Sequence, residues 1–148
     1  MEFVIFGRPH FSGPGSWHPT RLPANVSLFG HLDGEAKRRM IGSAWMLANT
    51  SIHESLPVSF LEALHCGTPI VSYQDPESVT SRFGAYVGSW EGSGLDALDT
   101  FADAVQQLLD DEDVRLGLGA AGRDWVRANH TPERFLAEFG ALAGALDR

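Results

Sequence analysis

Glu54 and Glu62 bracket seven residues in the stretch Ser51-Ile-His-Glu-Ser-Leu-Pro-Val-Ser-Phe-Leu-Glu-Ala-Leu-His-Cys-Gly-Thr-Pro-Ile-Val-Ser72. An ionised glutamate offers two oxygens that each accept hydrogen bonds, which suits the hydroxyls of a sugar. Between the two acids the sequence reads as the start of a helix. Pro57 fits the first helical position, where its missing N–H is no loss and its fixed φ is already suitable. Gly67 fits just beyond the last turn, and Pro69 prevents continuation. Glu54 is then a loop residue and Glu62 lies about a turn and a half into the helix. The first-turn amides, from Val58 and Ser59 onward, face between them. A helix N-terminus carries unpaired donors and roughly half a positive charge, a natural partner for phosphate. One short segment is therefore equipped for both ends of a nucleotide-sugar.

The elements that must hold this segment follow from the pattern around it. Apolar runs at Phe3 to Phe6, Val26 to Phe29, Trp45 to Ala48, Pro69 to Tyr73 and Ala85 to Val87 are short and near-continuous, as in parallel strands covered on both faces. A helix over 33–42, capped by Asp33, separates the second run from the third, and the helix at Pro57 separates the third from the fourth. Alternating strand and helix predict a layered α/β fold. The C-terminal third reads as helical. Phe101, Ala104, Val105, Leu108 and Leu109 form one apolar stripe, with Thr100 and Asp103 as its cap pair. Val114, Leu118, Ala121, Trp125 and Val126 form a second. Phe135, Phe139, Leu142 and Leu146 form a third, on a helix opened by Thr131-Pro132. All three stripes are expected to be core that covers the sheet. The segments Gly7 to Ala24 and Gly88 to Gly94 are loops by their Pro, Gly and Ser content.

Composition narrows the partners. The 148 residues suit one domain spanning 1–148, with 43% hydrophobic and 20% charged residues, as in soluble globular proteins. A net charge of −8 argues against nucleic acid or anionic lipid as the main partner. Lys37-Arg38-Arg39 is the one basic run, read as a solvated helix face. A single cysteine, Cys66, excludes an internal disulfide and favours a reducing, cytoplasmic setting. No apolar run approaches the roughly 20 residues of a membrane span. No divalent-metal site is expected, since His53 and His65 have no partner at ligand spacing.

On these residues the chain resembles the C-terminal, donor-binding half of retaining GT-B glycosyltransferases of the "glycosyl transferases group 1" family. The family's Glu–seven residues–Glu element matches Glu54 to Glu62, and its Glu-Ala-Leu-x-Cys-Gly-Thr-Pro-Ile-Val matches 62 to 71. Looser similarity covers 25–30, 101–110 and Gly119 to Arg123 onward, most of 24–135 in all. The resemblance implies a Rossmann-like parallel sheet layered between helices, lacking the family's first strand, with a helical C-terminal third. It implies a nucleotide-diphospho-sugar as substrate, with no cofactor and no metal. It assigns Glu62 to the ribose hydroxyls and Glu54 to the transferred sugar and its developing charge. The backbone of Leu56, Pro57, Val58 and Ser59 falls to the sugar and diphosphate, and Gly30 and His31 to the border of the base. Many members have Gly where Pro57 stands. Plainer roles remain open: an outward helical acid for Glu62, a loop acid for Glu54, a first-turn residue for Ser59, a surface histidine for His31.

The family's early Arg and Lys, which neutralise the diphosphate, have no counterpart here; Arg8 is followed by prolines, and Lys37, the sole lysine, falls in another helix. Nothing resembles the family's acceptor-binding domain. The chain is therefore expected to be part of a larger transferase, completed in cis or by a partner protein. The alternative is a non-catalytic nucleotide- or sugar-binding module.

Overall fold

A computed structural model of the chain describes residues 1–7, 21–51, 54–88 and 95–146. The loop expectations for 8–20 and for Trp90 and Glu91, and the placement of His53, lie outside the described residues. The chain divides into two compact units, Met1–Arg39 and Met40–Arg148. The expected α/β class holds, with every described strand pair parallel.

In the first unit β1 (Phe3–Phe6) pairs with β2 (Val26–Gly30). The register runs Phe3 to Val26, Val4 to Ser27 and Ile5 to Leu28, then slips, so that Phe6 meets Gly30 and Phe29 has no partner across the ladder. Helix α1 (Gly34–Ser43) follows. The carbonyl of Asp33 accepts the Lys37 amide at 3.3 Å, closing the first turn as expected of the residue before a helix.

The second unit holds a three-stranded sheet of β3 (Leu47–Asn49), β4 (Ile70–Ser72) and β5 (Gly84–Tyr86), with β4 in the middle. Side chains alternate across a strand, yet Ile70, Val71 and Ser72 are all fully buried, so both faces of the sheet are covered. Between the strands lie α2 (Val58–Cys66) and the short α3 (Val79–Phe83); α4 (Leu98–Asp110), α5 (Glu112–Asn129) and α6 (Pro132–Leu146) complete the unit. Val71 and Tyr73 pack with Phe101 and Leu108 of α4, the first predicted stripe, and the Tyr73 and Phe101 rings lie 5.0 Å apart. Phe60, Ala63 and Leu64 bury the inner face of α2 completely; each large apolar side chain so buried contributes roughly 1.5–3 kcal/mol.

Four expectations are corrected. Strand β3 begins at Leu47, not Trp45; Trp45 is exposed and stacks under the Arg115 guanidinium, 4.6 Å from its ring centre. Helix α4 begins at Leu98 after Ala97, so Thr100 and Asp103 lie inside it and do not cap it. On α5 Val126 is buried as predicted and Leu118 and Trp125 are half-buried, but Val114 and Ala121 are exposed. Arg115, Gly119 and Gly122, each one position on from a predicted residue, are buried instead. The Asp111 carboxylate caps this helix, accepting the Val114 amide at 2.9 Å.

The third stripe is not core. Thr131 Oγ1 does cap α6 by accepting the Arg134 amide at 3.2 Å, but Phe135, Leu136, Phe139 and Leu142 are 60–68% exposed. Phe135 and Phe139 stack on each other, with ring centres 6.0 Å apart. Replacing Phe139 by serine, of similar helix propensity, is expected to lower the stability of this chain by less than about 1 kcal/mol in urea melts. A loss of roughly 3–5 kcal/mol, the range for emptying a buried phenylalanine site, would show that this face is covered.

Candidate functional site

The carboxyl end of β3 carries the loop and helix that hold the paired glutamates. Asn49 closes β3, and its Oδ1 accepts the Ser51 amide at 2.9 Å, turning the chain out of the sheet. Glu54 is exposed in the loop that follows. Its amide donates to Gln74 Oε1 at 3.4 Å, a bond to the segment just beyond β4.

Pro57 is displaced by one position from its expected place. It is the N-cap of α2, with φ −65° and ψ 136°, and Val58 is the first helical residue. The difference matters chemically. A proline inside the first turn would remove one of the donors; as the cap it leaves the first-turn amides intact, while offering no side chain to occupy them. Phe60 reaches back to the Pro57 carbonyl at 3.0 Å. The amides of Val58 and Ser59 meet no hydrogen-bond acceptor among the described residues. Among the described residues the helix end is open.

Glu62 stands four residues after Val58 and three after Ser59, the spacings that place side chains on one helical face. That face is opposite Phe60, Ala63 and Leu64, which are buried. Because Cα–Cβ bonds tilt toward the helix N-terminus, the Glu62 side chain leans toward the open end. It is half-buried, as are Leu56, Pro57 and Ser59, whereas Val58 is exposed. Gly67 ends the helix in the left-handed region, φ +81°, as its sequence position predicted; the Gly67 and Thr68 amides cap the last turn through the Leu64 and Ala63 carbonyls, each at 2.9 Å.

Gly30 and His31 belong to the first unit. Gly30 takes φ +65°, a conformation that explains glycine at the end of β2. His31 is exposed, and its Nε2 lies 2.7 Å from Asp33 Oδ2, so its ring is oriented by that carboxylate. Gln74 had no place in the sequence-based set. A polar residue two positions past a fully buried strand, on the side where ligands of open α/β sheets bind, is the pattern that marks it.

Comparison with known proteins agrees with the residue pattern. A family model described as Glycosyl transferases group 1 matches residues 3–125. A GDP-mannose-dependent monoacylated alpha-(1-6)-phosphatidylinositol monomannoside mannosyltransferase of Corynebacterium glutamicum is 40% identical over 137 residues, covering 86% of this chain and 34% of its own length. A GDP-mannose-dependent alpha-(1-6)-phosphatidylinositol monomannoside mannosyltransferase of Mycobacterium tuberculosis is 39% identical over 79 residues, 51% of this chain and 19% of its own. A D-inositol 3-phosphate glycosyltransferase of Kineococcus radiotolerans is 33% identical over 138 residues, 81% of this chain and 31% of its own. The chain thus spans about a third or less of the length of these curated relatives. Among the described residues no helix is long and apolar enough to cross a membrane.

Proposed function

Because this chain belongs to the glycosyl transferases group 1 family, we propose that it is the donor-binding part of a retaining glycosyltransferase, and that it takes a nucleotide-diphospho-sugar. The observation that carries this reading is the open N-terminus of α2 with Glu62 on the same helical face. The Val58 and Ser59 amides bind the diphosphate, where the helix dipole favours negative charge. The Glu62 carboxylate accepts hydrogen bonds from the ribose diol. Glu54, in the loop just before the helix, lies toward the sugar, where a carboxylate stabilises the positive charge that develops at the anomeric carbon.

Two of the relatives are named for dependence on GDP-mannose, so this is the donor we propose first. Their greater length supports an acceptor-binding part supplied elsewhere, in the same polypeptide or by a partner. The isolated chain then binds donor without transferring it. The single cysteine fits a cytoplasmic setting.

Calorimetric titration of the chain with GDP-mannose, UDP-glucose and ADP-glucose tests the reading. We expect saturable binding of GDP-mannose, weaker or no binding of the other two, and no release of free mannose over the titration. Absence of binding to all three would refute the donor site.

A further inference from the structure

We propose that Gln74 is a positioning residue that holds the loop bearing Glu54 and so sets the sugar end of the donor site; this rests on the role of Glu54 given above. Gln74 is anchored before its side chain is considered. Strand β4 is the middle strand of its sheet and fully buried, and Gln74 follows its last residue, Ser72, by two positions. The Gln74 amide donates to Ser72 Oγ at 2.9 Å, and its carbonyl accepts Thr80 Oγ1 at 2.6 Å, with Ser72 and Thr80 both at 0% exposure. The backbone of Gln74 is therefore tied at both ends to the core.

From that fixed point the side chain reaches a segment twenty residues earlier, where Oε1 accepts the Glu54 amide at 3.4 Å. Glu54 and Ser55 are exposed, so packing contributes little to their conformation. A hydrogen bond to a rigid strand end then has a large share in deciding where the Glu54 carboxylate is presented. The side-chain type matters. An acceptor at this reach is available from glutamine and glutamate; asparagine is one methylene shorter, and leucine has similar bulk but no acceptor.

The test uses the whole chain with Gln74→Leu and Gln74→Glu, and two readouts. The first is amide hydrogen exchange at Glu54 by NMR without ligand. Loss of the acceptor in Gln74→Leu speeds exchange roughly three- to tenfold, and Gln74→Glu keeps the rate near that of the original chain. Equal rates in the original chain and Gln74→Leu overturn the proposal whatever the ligand does.

The second readout is titration with GDP and with GDP-mannose. In Gln74→Leu the affinity gained from the mannose falls roughly three- to tenfold, while GDP alone binds within about twofold of the original; Gln74→Glu restores most of the gain. Equal weakening of both ligands, or no weakening of either, overturns the proposal, since neither singles out the sugar end. Binding of neither ligand by the original chain overturns the donor reading instead, and the exchange rates still decide whether Gln74 holds Glu54.

Discussion

Replacing Gly119 by alanine is expected to destabilise the chain by about 3 kcal/mol, against the usual preference of helices for alanine. Propensity alone favours the change, because glycine inside a helix is about 1 kcal/mol less favourable than alanine. Space decides otherwise. A Cβ at Gly119 would lie 2.0 Å from the Gly67 carbonyl oxygen and 3.5 Å from Pro69 Cδ. The oxygen is a backbone atom at the C-cap of α2, so it has no rotamer to yield. Either α5 moves away from α2 or the cap that joins α2 to β4 is distorted, and both loosen packing at close to crystal density. Gly117 lies two residues earlier on the same helix, and a Cβ there would meet nothing within 4 Å. Gly117→Ala is accordingly expected to stabilise by up to about 1 kcal/mol. Urea denaturation of the two variants should give shifts of opposite sign. A stabilised Gly119→Ala would mean that α5 does not approach the end of α2 this closely.

Glu62→Ala is expected to weaken binding of GDP and of GDP-mannose alike, by at least tenfold, if the carboxylate holds the ribose. A hydrogen bond to a charged group contributes roughly 1.5–3 kcal/mol, so each one lost is about a ten- to 150-fold effect. The fold should survive the change. Glu62 lies on the face opposite the buried Phe60, Ala63 and Leu64, and alanine is at least as good a helix former. Glu62→Gln keeps the shape and one acceptor oxygen but loses the charge, and should fall between the two. Calorimetric titration with both ligands makes the comparison. Because the ribose is common to GDP and GDP-mannose, the ratio of the two affinities should stay constant. Undiminished binding by Glu62→Ala would remove this residue from the site.

The glutamate pair, the helix between a proline and a glycine, and the strand after it were legible because each depends on local backbone chemistry. Gly67 is followed to a left-handed φ as a helix stop demands, and Thr131 caps α6 with its own hydroxyl. The N-cap position of Pro57 was missed by one residue. Proline tolerates both the cap and the first turn, so its identity could not choose between them. Gln74 was missed because a bond spanning twenty residues has no periodicity to betray it.

By itself, the sequence determined the order of strands and helices, the helix that starts between two acids, and the family, since these follow from side-chain periodicity, caps and a contiguous motif. Tertiary structure alone decided which faces are buried. On α5 Val126 of the apolar stripe is buried, but Val114 and Ala121 face outward while Arg115, Gly119 and Gly122 take inner positions. Two glycines allow the helix backbone to approach α2, which larger side chains would hold apart. Arg115 is buried because its guanidinium donates to the Leu108 and Leu109 carbonyls at 2.8 and 3.3 Å, satisfying the open end of α4. On α6 the stripe residues Phe135, Phe139 and Leu142 are exposed among the described residues. Periodicity shows that a helix has an apolar side; what lies against that side depends on the shape of the surrounding elements, which no local pattern contains.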